Sequence, residues 1–334
     1  MEKERKVNGV RLVRNLFIGS AIIIILVVVF NLLVFSQDNK QINDSTKTER
    51  LDSIKIQNAS LSYAVQIPDS LYFAGERVPL ENFDIRESLD KELLKVTFWH
   101  SEMFLYLKRA NRYFPVIEPI LKKCGIPDDF KYVCVTESGL TDAVSPAKAE
   151  GFWQFMAPTA KQYGLEVNEE VDERYHLKRA TFAACQYLKS KYAKFGSWTT
   201  AAASYNAGDN GIDKRVEYQK EKSYYDLALF TETSRYVFRA LAIKLVMENP
   251  EKYGFIIYKK DLYPVIEVKE IMVDSSITDF ISFAKKEEIN YKLLKMFNPW
   301  LRAHSLTNKT KKKYILEIPA KGARSKDYFA NDIE

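Results

Sequence analysis

The chain of 334 residues is long enough for one sizeable folded domain, a smaller second domain and tails. A hydrophobic fraction of 46% and an aromatic fraction of 13% exclude a disordered protein. Lysine and arginine total 50 against 44 aspartate and glutamate, a mild basic excess that suits an anionic polymer or a membrane surface. No basic cluster is interleaved with base-stacking aromatic residues in a recognisable motif, so nucleic acid is not an expected partner.

Residues 16–35 predict a transmembrane helix, because this run of 20 residues carries no charge and is long enough to cross a bilayer. A cleaved signal peptide is the competing interpretation, but the stretch after the run lacks a small-residue cleavage pattern. We therefore expect an uncleaved signal anchor, with residues 1–15 in the cytoplasm and the remainder outside it. The orientation follows from the basic residues that precede the run, which are Lys3, Arg5, Lys6, Arg11 and Arg14.

Residues 36–86 are mostly polar at their start and are predicted to be a stalk or linker. From residue 87 to residue 255, apolar residues recur at helical spacing and predict an all-α domain. Its first helix is expected to end near Tyr113, and Pro115 is expected to begin a separate helix that ends around Cys124. Further helices are predicted at about 127–139, 159–164, 176–195, 198–207 and 233–248.

Glu137 is an ionisable residue near the end of a mostly apolar helix. At helical spacing it shares one face with Phe130, Val133 and Cys134. An acid on a core-facing stripe is costly unless it is paired or neutral, and desolvation raises its pKa into the range useful for a general acid. The competing interpretation is a solvated carboxylate at the edge of the helix.

Three segments have the order and spacing of the signature motifs of lytic transglycosylases. They are Glu137-Ser138, Gly151-Phe-Trp-Gln154 and Tyr205-Asn206. The later stretch Thr231-Glu-Thr-Ser-Arg-Tyr-Val237 resembles a further element of that family and contains Tyr236. The chain therefore resembles this family over roughly residues 87–248, and within it most resembles the membrane-bound lytic murein transglycosylase D group.

The resemblance implies an all-α, goose-type-lysozyme-like catalytic domain that cleaves peptidoglycan glycan strands outside the cytoplasm without a cofactor or metal. It implies that Glu137 protonates the glycosidic oxygen and then deprotonates the 6-hydroxyl of the same muramic acid, which leaves a 1,6-anhydro end. A lysozyme-like muramidase and a non-catalytic peptidoglycan-binding scaffold are the alternatives. The residues that the resemblance assigns to substrate contact are Ser138, Gly151, Gln154, Tyr205, Asn206 and Tyr236.

Two departures from the family pattern leave questions open. Phe152 and Trp153 stand where smaller aliphatic residues are common, and they either fill core volume or offer a face for a sugar. No second acid occupies a matching motif position, which agrees with chemistry that uses a single carboxyl. Three other acids remain candidates to approach it in space, namely Asp142, Glu150 and Glu232.

Residues 262–320 predict a small domain with the order strand, helix, helix, strand. The strands are expected at 265–268 and 314–318, and the helices at 277–284 and 291–297. This order and the Asn298-Pro299 element resemble a LysM domain, a peptidoglycan-binding module. Val273-Asp-Ser-Ser276 replaces the usual Gly-Asp-Thr turn, so the domain either binds glycan or only packs. Residues 321–334 are expected to form a tail.

The cysteine and histidine residues do not predict a metal site. None of the three histidines forms a ligand-spaced pair. Cys124 and Cys134 are spaced so that they can approach each other across a helical hairpin. The alternative is that all three cysteines, including Cys185, are small buried side chains.

Overall fold

Ten α-helices and two small antiparallel sheets make up the part of the chain that this computed structural model describes, residues 64–325, without the side chains of residues 209 and 210. All of these residues belong to one compact unit. The predicted cytoplasmic segment 1–15, the membrane helix 16–35, the first part of the linker and the end of the tail lie outside this range. Within residues 64–325 we find no helix that is long and apolar enough to cross a membrane.

Eight helices form the larger part of the fold. Their bounds are Phe83–Phe98 (α1), His100–Lys123 (α2), Phe130–Ser138 (α3), Ala157–Gln162 (α4), Leu177–Phe195 (α5), Trp198–Ala207 (α6), Asp209–Gln219 (α7) and Thr231–Glu248 (α8). α1 packs along α8, α5 packs against α2 and α6, and α3 lies against both α2 and α8. The short helix α3 is thereby enclosed by two long ones, and its last turn carries Glu137.

The prediction of a separate helix starting at Pro115 is wrong. α2 runs without interruption from His100 to Lys123 and contains Pro115 and Pro119. Burial of residues before and after the prolines, such as Met103 and Leu121, keeps one apolar face of the helix against the core and offsets the missing backbone hydrogen bonds. The chain instead breaks at Trp99, between α1 and α2, where neither proline nor glycine signals it.

The prediction that residues 64–86 belong to a linker is also wrong. A small hairpin, with strands Tyr72–Phe73 (β1) and Glu76–Arg77 (β2), precedes α1. The Phe73 side chain is fully buried, and its ring meets the ring of Phe130 edge-on at 5.5 Å. Burial of an aromatic ring in the main core is worth on the order of 2 kcal/mol, so this segment is part of the folded unit.

Glu76 in this hairpin fixes the beginning of α6. Its carboxylate accepts hydrogen bonds from the backbone N–H groups of Trp198 (2.5 Å) and Thr199 (2.9 Å), and from the hydroxyls of Ser197 (2.8 Å) and Thr199 (2.7 Å). The first N–H groups of a helix have no partner within the helix and carry a partial positive charge, so an anion is stabilising there. The hairpin therefore supports the helix that bears Tyr205.

The C-terminal module has the predicted order of elements. Strands Val268–Val273 (β3) and Tyr314–Pro319 (β4) pair antiparallel, and helices Phe280–Lys286 (α9) and Tyr291–Phe297 (α10) lie between them in sequence. β3 begins three residues later than predicted. Its side chains alternate only weakly between buried and exposed, so the sequence pattern does not mark its start. Its register is set by β4, whose alternate residues Tyr314, Leu316 and Ile318 are buried.

Candidate active site

Glu137 lies in the last turn of α3, where two contacts fix the end of the helix. The backbone turns into the left-handed region at Gly139, whose φ is 59°. The Arg109 guanidinium of α2 donates a hydrogen bond of 3.0 Å to the Gly139 carbonyl oxygen. A cation at the carbonyl end of a helix is favourable, and here it holds the turn that carries Glu137.

The carboxyl group of Glu137 is enclosed by protein atoms, although the residue keeps some exposure to solvent. Burial raises its pKa to about 7, and the raising effect exceeds the lowering effects of the Tyr236 hydroxyl and the Arg239 charge. At neutral pH the group is therefore present in both its protonated and its ionised form. A carboxyl with such a pKa is suited to give and to take a proton.

Tyr236, in α8, donates its hydroxyl hydrogen bond to Oε1 of Glu137. The Tyr236 side chain is buried, and burial raises the pKa of its phenol well above the ordinary value, so the hydroxyl stays a donor. The Tyr205 hydroxyl does not bind the acid. It donates a hydrogen bond of 2.7 Å to the carbonyl oxygen of Trp153, and so ties α6 to the segment that contains Gln154.

Gly151 and Gln154 hold the backbone of the segment 143–156, which we call the active-site loop. A Cβ atom on Gly151, whose φ is 79°, would lie 2.0 Å from the carbonyl oxygen of Arg174, so only glycine fits there. The Gln154 amide donates to the carbonyl oxygens of Ala143 (2.9 Å) and Gly151 (2.7 Å). Both residues therefore stabilise the backbone conformation of the loop.

Ser138 is engaged with backbone groups at the end of α3. Its hydroxyl oxygen accepts hydrogen bonds from the N–H groups of Leu140 (3.1 Å) and Thr141 (3.4 Å). The hydroxyl donates in turn to the carbonyl oxygen of Cys134 at 3.4 Å. Ser138 therefore caps the end of α3.

Two cavities are lined by residues of the sequence motifs or by a sequence neighbour of Glu137. One, of about 350 Å³, is lined by Gln154, Tyr205 and Asn206 together with Met156 and Tyr187. The Asn206 side-chain oxygen at its wall accepts a 3.0 Å hydrogen bond from the hydroxyl of Thr233, in α8. Gln154 and the Tyr205-Asn206 pair, which the sequence singled out, therefore line the same cavity.

The second cavity, of about 580 Å³, was not predicted from the sequence. It is lined by Thr136, which precedes the acid, by the exposed ring of Trp99, and by Arg235 and Arg239 of α8. Trp99 belongs to no linear motif, since it lies at the unsignalled break between α1 and α2, whereas Arg235 lies within the stretch 231–237. An aromatic ring and guanidinium groups around a cavity suit polar ligands, and the buried Glu92, which also lines this cavity, pairs with Arg235 at 2.7 Å.

Among the three acids considered as second carboxyls, only Glu232 affects the pKa of Glu137, which its negative charge raises. Glu232 is exposed and is 3.4 Å from the guanidinium of Arg239. Glu150 pairs with the buried Arg174 guanidinium at 2.9 Å. Asp142 belongs to a different cavity, which lies next to the C-terminal module.

The cysteines do not pair as the hairpin spacing suggested. The Cys134 thiol donates to the carbonyl oxygen of Phe152 at 3.4 Å, which links α3 to the active-site loop. Cys124 instead interacts with Cys185, and burial raises the pKa of the Cys185 thiol. Both Cys134 and Cys185 are buried, while Cys124 is partly exposed.

Phe152 and Trp153 are both buried and fill core volume. Trp153 is fully buried, and its indole N–H donates a 2.9 Å hydrogen bond to the Thr181 hydroxyl, in α5. Phe152 is also buried and meets the ring of Tyr113 edge-on at 4.9 Å. These two aromatic residues anchor the active-site loop on the helices behind it.

Two segments of this chain match known protein domains. Residues 116–228 match the Transglycosylase SLT domain, and residues 269–322 match the soluble lytic transglycosylase C-terminal LysM-like domain. The chain thus carries an SLT domain followed by a LysM-like domain. Apart from Tyr236, all the site residues predicted from the motifs fall within the matched SLT segment.

Two curated relatives are similar to this chain over a longer stretch. Membrane-bound lytic murein transglycosylase D of Escherichia coli strain K12 is 27% identical over 243 residues, which cover 70% of this chain and 52% of the relative. The protein of the same name from Escherichia coli O6:H1 gives the same values. The chain therefore spans about half the length of the curated relatives it matches.

Proposed function

We propose that this chain is a lytic transglycosylase of peptidoglycan. It cleaves the β-1,4 bond between N-acetylmuramic acid and N-acetylglucosamine and leaves 1,6-anhydromuramic acid ends. The observation that carries the proposal is Glu137, a carboxyl with a pKa of about 7 that is hydrogen-bonded to a buried tyrosine. The match to the SLT domain and the two relatives supports the choice of substrate.

Glu137 acts twice in the proposed reaction. Its proton moves to the oxygen of the leaving N-acetylglucosamine as the bond from that oxygen to C1 of the muramic acid breaks. The resulting carboxylate then takes the proton of the 6-hydroxyl, and O6 closes on C1 of the same sugar. Water is not consumed, and Glu137 ends the cycle protonated, as it began.

Tyr236 and Arg239 support the ionised phase of this cycle. Both lower the pKa of Glu137, so both stabilise the carboxylate that exists between the two proton transfers. Burial acts in the opposite direction and favours the protonated acid at the start. The balance between them lets one group serve first as acid and then as base.

The proposed location follows from residues 16–35, which we expect to anchor the chain with the SLT and LysM-like domains outside the cytoplasm. Peptidoglycan lies in that compartment. The relatives are named as membrane-bound proteins, which agrees with this arrangement. Expression of the full chain with a reporter fused to either end would test the orientation, and a cytoplasmic C-terminus would contradict it.

Muropeptide analysis tests the reaction. The full-length chain in detergent is incubated with peptidoglycan, and the released muropeptides are weighed by mass spectrometry. Anhydro ends, which are lighter than reducing ends by one water, are expected. Reducing ends would assign the muramidase reaction instead, and the absence of any release would assign a scaffold.

Two variants sharpen this test. Glu137→Gln keeps the shape of the side chain but cannot exchange a proton, so release is expected to stop. Glu232→Gln removes the negative charge that raises the pKa of Glu137, and it is expected to retain most of the activity. Equal loss in both variants would indicate a mechanism with two carboxyls.

A further inference from the structure

The residues between α4 and α5 include a stretch, residues 166–176, that we call the connecting segment and that joins the LysM-like domain by backbone hydrogen bonds. The Asp172 N–H donates to the carbonyl oxygen of Trp300 at 2.8 Å. The Arg302 N–H donates to the carbonyl oxygen of Glu170 at 2.7 Å. Such main-chain pairing fixes the two stretches in register, so the domain is not held by side chains alone.

Charged side chains reinforce this contact. Lys312, which precedes β4, pairs with Glu166 and also lies 3.5 Å from the buried Glu173. The Arg302 guanidinium lies over the ring of Tyr175, 4.1 Å from its centre. Cation–π contacts at this distance are worth about 1 kcal/mol, and several contacts together form a fixed interface.

Lys178 covers the sheet of the LysM-like domain. Its ammonium group pairs with Glu270 of β3 at 2.8 Å and with Glu317 of β4 at 2.6 Å. It therefore bridges both strands from the first turn of α5. This part of the sheet therefore faces the SLT domain.

Aromatic stacking and a shared core complete the interface. His176 stacks on Trp300 with ring centres 5.5 Å apart, and Trp300 stacks on Tyr314 at 5.7 Å. Val171 and Tyr175 of the connecting segment belong to the same buried cluster as the core of the LysM-like domain. The connecting segment is thus built into that core.

The opposite side of the connecting segment holds the active-site loop. The buried Arg174 pairs with Asp172 at 2.6 Å and with Glu150 at 2.9 Å. Its guanidinium also donates to the carbonyl oxygen of Phe155 at 3.3 Å, and its own carbonyl oxygen lies against Gly151. Asp172 is shared, because its N–H binds the LysM-like domain while its carboxylate binds Arg174.

We infer that the LysM-like domain positions the active-site loop through Asp172 and Arg174, and that this is its role in catalysis. The inference rests on the proposed function, since a positioned loop affects the rate only if the loop lines the reacting site. It assigns Trp300, Arg302 and Asp172 as positioning residues. The missing Gly-Asp-Thr turn agrees with a domain that packs instead of capturing glycan.

Kinetics on two substrates separate positioning from glycan capture. Full-length wild type, Trp300→Ala, Trp300→Phe and Arg302→Ala are assayed on intact sacculi and on a soluble tetrasaccharide of alternating N-acetylglucosamine and N-acetylmuramic acid. Positioning predicts a kcat about tenfold or more lower for Trp300→Ala on both substrates, with KM changed by less than about twofold. Trp300→Phe keeps a stacking ring and is expected to recover much of the rate. Arg302→Ala removes the contact with the Tyr175 ring without leaving a core cavity, and is expected to lower kcat more mildly.

Ile315→Ala is the matched control, because Ile315 is an exposed residue of β4 in the same domain. It is expected to leave both kinetic constants unchanged. A rise of KM on sacculi, with unchanged kcat on the tetrasaccharide for Trp300→Ala, would overturn the inference and assign glycan binding to the domain.

Amide hydrogen exchange in the active-site loop tests the inference even if the enzyme shows no activity. The N–H of Gly151 donates to the carbonyl oxygen of Ala143, and the N–H of Glu150 donates to that of Phe155. Both amides are expected to exchange faster in Trp300→Ala than in Ile315→Ala. Unchanged exchange would overturn the positioning role, whereas an inactive wild type with the expected exchange would contradict only the proposed function.

Discussion

Tyr236 donates a hydrogen bond to Oε1 of Glu137 across 99 positions of sequence, and so joins the last turn of α3 to α8. The bond favours the ionised carboxyl, while burial of the same carboxyl favours its neutral form. The resulting pKa of about 7 is therefore a balance of two effects, each of which can be changed separately.

Removing the hydroxyl group in Tyr236→Phe is expected to raise the pKa of Glu137, because the hydrogen bond from this hydroxyl lowers that pKa. The acid must be protonated to begin the reaction, so the alkaline limb of the pH profile of kcat/KM should move to higher pH. We also expect kcat to fall about tenfold to a hundredfold, since the carboxylate formed during the cycle loses its donor. Tyr163→Phe, which removes a hydroxyl at 3.1 Å from Ser190, is the control. An unshifted limb in Tyr236→Phe would contradict the assignment.

Glu137→Gln is expected to be more stable than wild type at pH 8 but not at pH 4. The pKa of Glu137 is raised from about 4.5 in the unfolded chain to about 7 in the folded one. Between these values the unfolded chain releases a proton that the folded protein retains, so the wild type loses stability as pH rises and reaches a plateau above about pH 7. The difference is on the order of 3 kcal/mol, and denaturant unfolding at several pH values measures it. Parallel pH dependences in the two proteins would refute the raised pKa.

Gly151→Ala and Gly164→Ala distinguish a steric clash from backbone strain. Both glycines have a φ near 80°, but an added Cβ meets the Arg174 carbonyl oxygen at 2.0 Å only at Gly151. We expect Gly164→Ala to cost about 1 kcal/mol from strain alone, and Gly151→Ala to cost about 3 kcal/mol or more. Only Gly151→Ala should also lose activity, because the active-site loop must move. Similar losses of stability and activity in both variants would show that the close approach to Arg174 is unimportant.

Glu76→Gln is expected to destabilise the protein by about 2 kcal/mol, because the carboxylate satisfies backbone N–H groups at the beginning of α6. Glu81→Gln is the matched control. Glu81 is an exposed acid a few residues away that pairs with Arg77, and its replacement should leave stability unchanged. Chemical unfolding monitored by tryptophan fluorescence compares the two variants, and equal midpoints would rule out the helix-capping role of Glu76.

Local sequence patterns predicted the helices that carry Glu137 and the Tyr205-Asn206 pair, because helical spacing determines which residues share a face. The division of roles between Tyr205 and Tyr236 was not predictable from the motifs. It depends on how α6 and α8 cross α3, and that packing brings together residues about 100 positions apart.

The two errors in the fold have the same origin. Pro115 normally ends a helix, but buried side chains on both sides of it keep α2 continuous. The segment around Phe73 is short and mixed in character, and burial against residues distant in sequence, such as Phe130, makes it part of the core. Long-range burial decided both cases, and a local pattern contains no information about it.

The contact between Glu76 and Thr199 has a consequence for how the chain folds. The two residues are 123 positions apart, so α6 gains its capping carboxylate only when distant parts of the chain have met. Contacts of this range raise the contact order and slow folding. The start of α6 is therefore expected to protect its amides late in refolding, after α2 and α5 have already packed together.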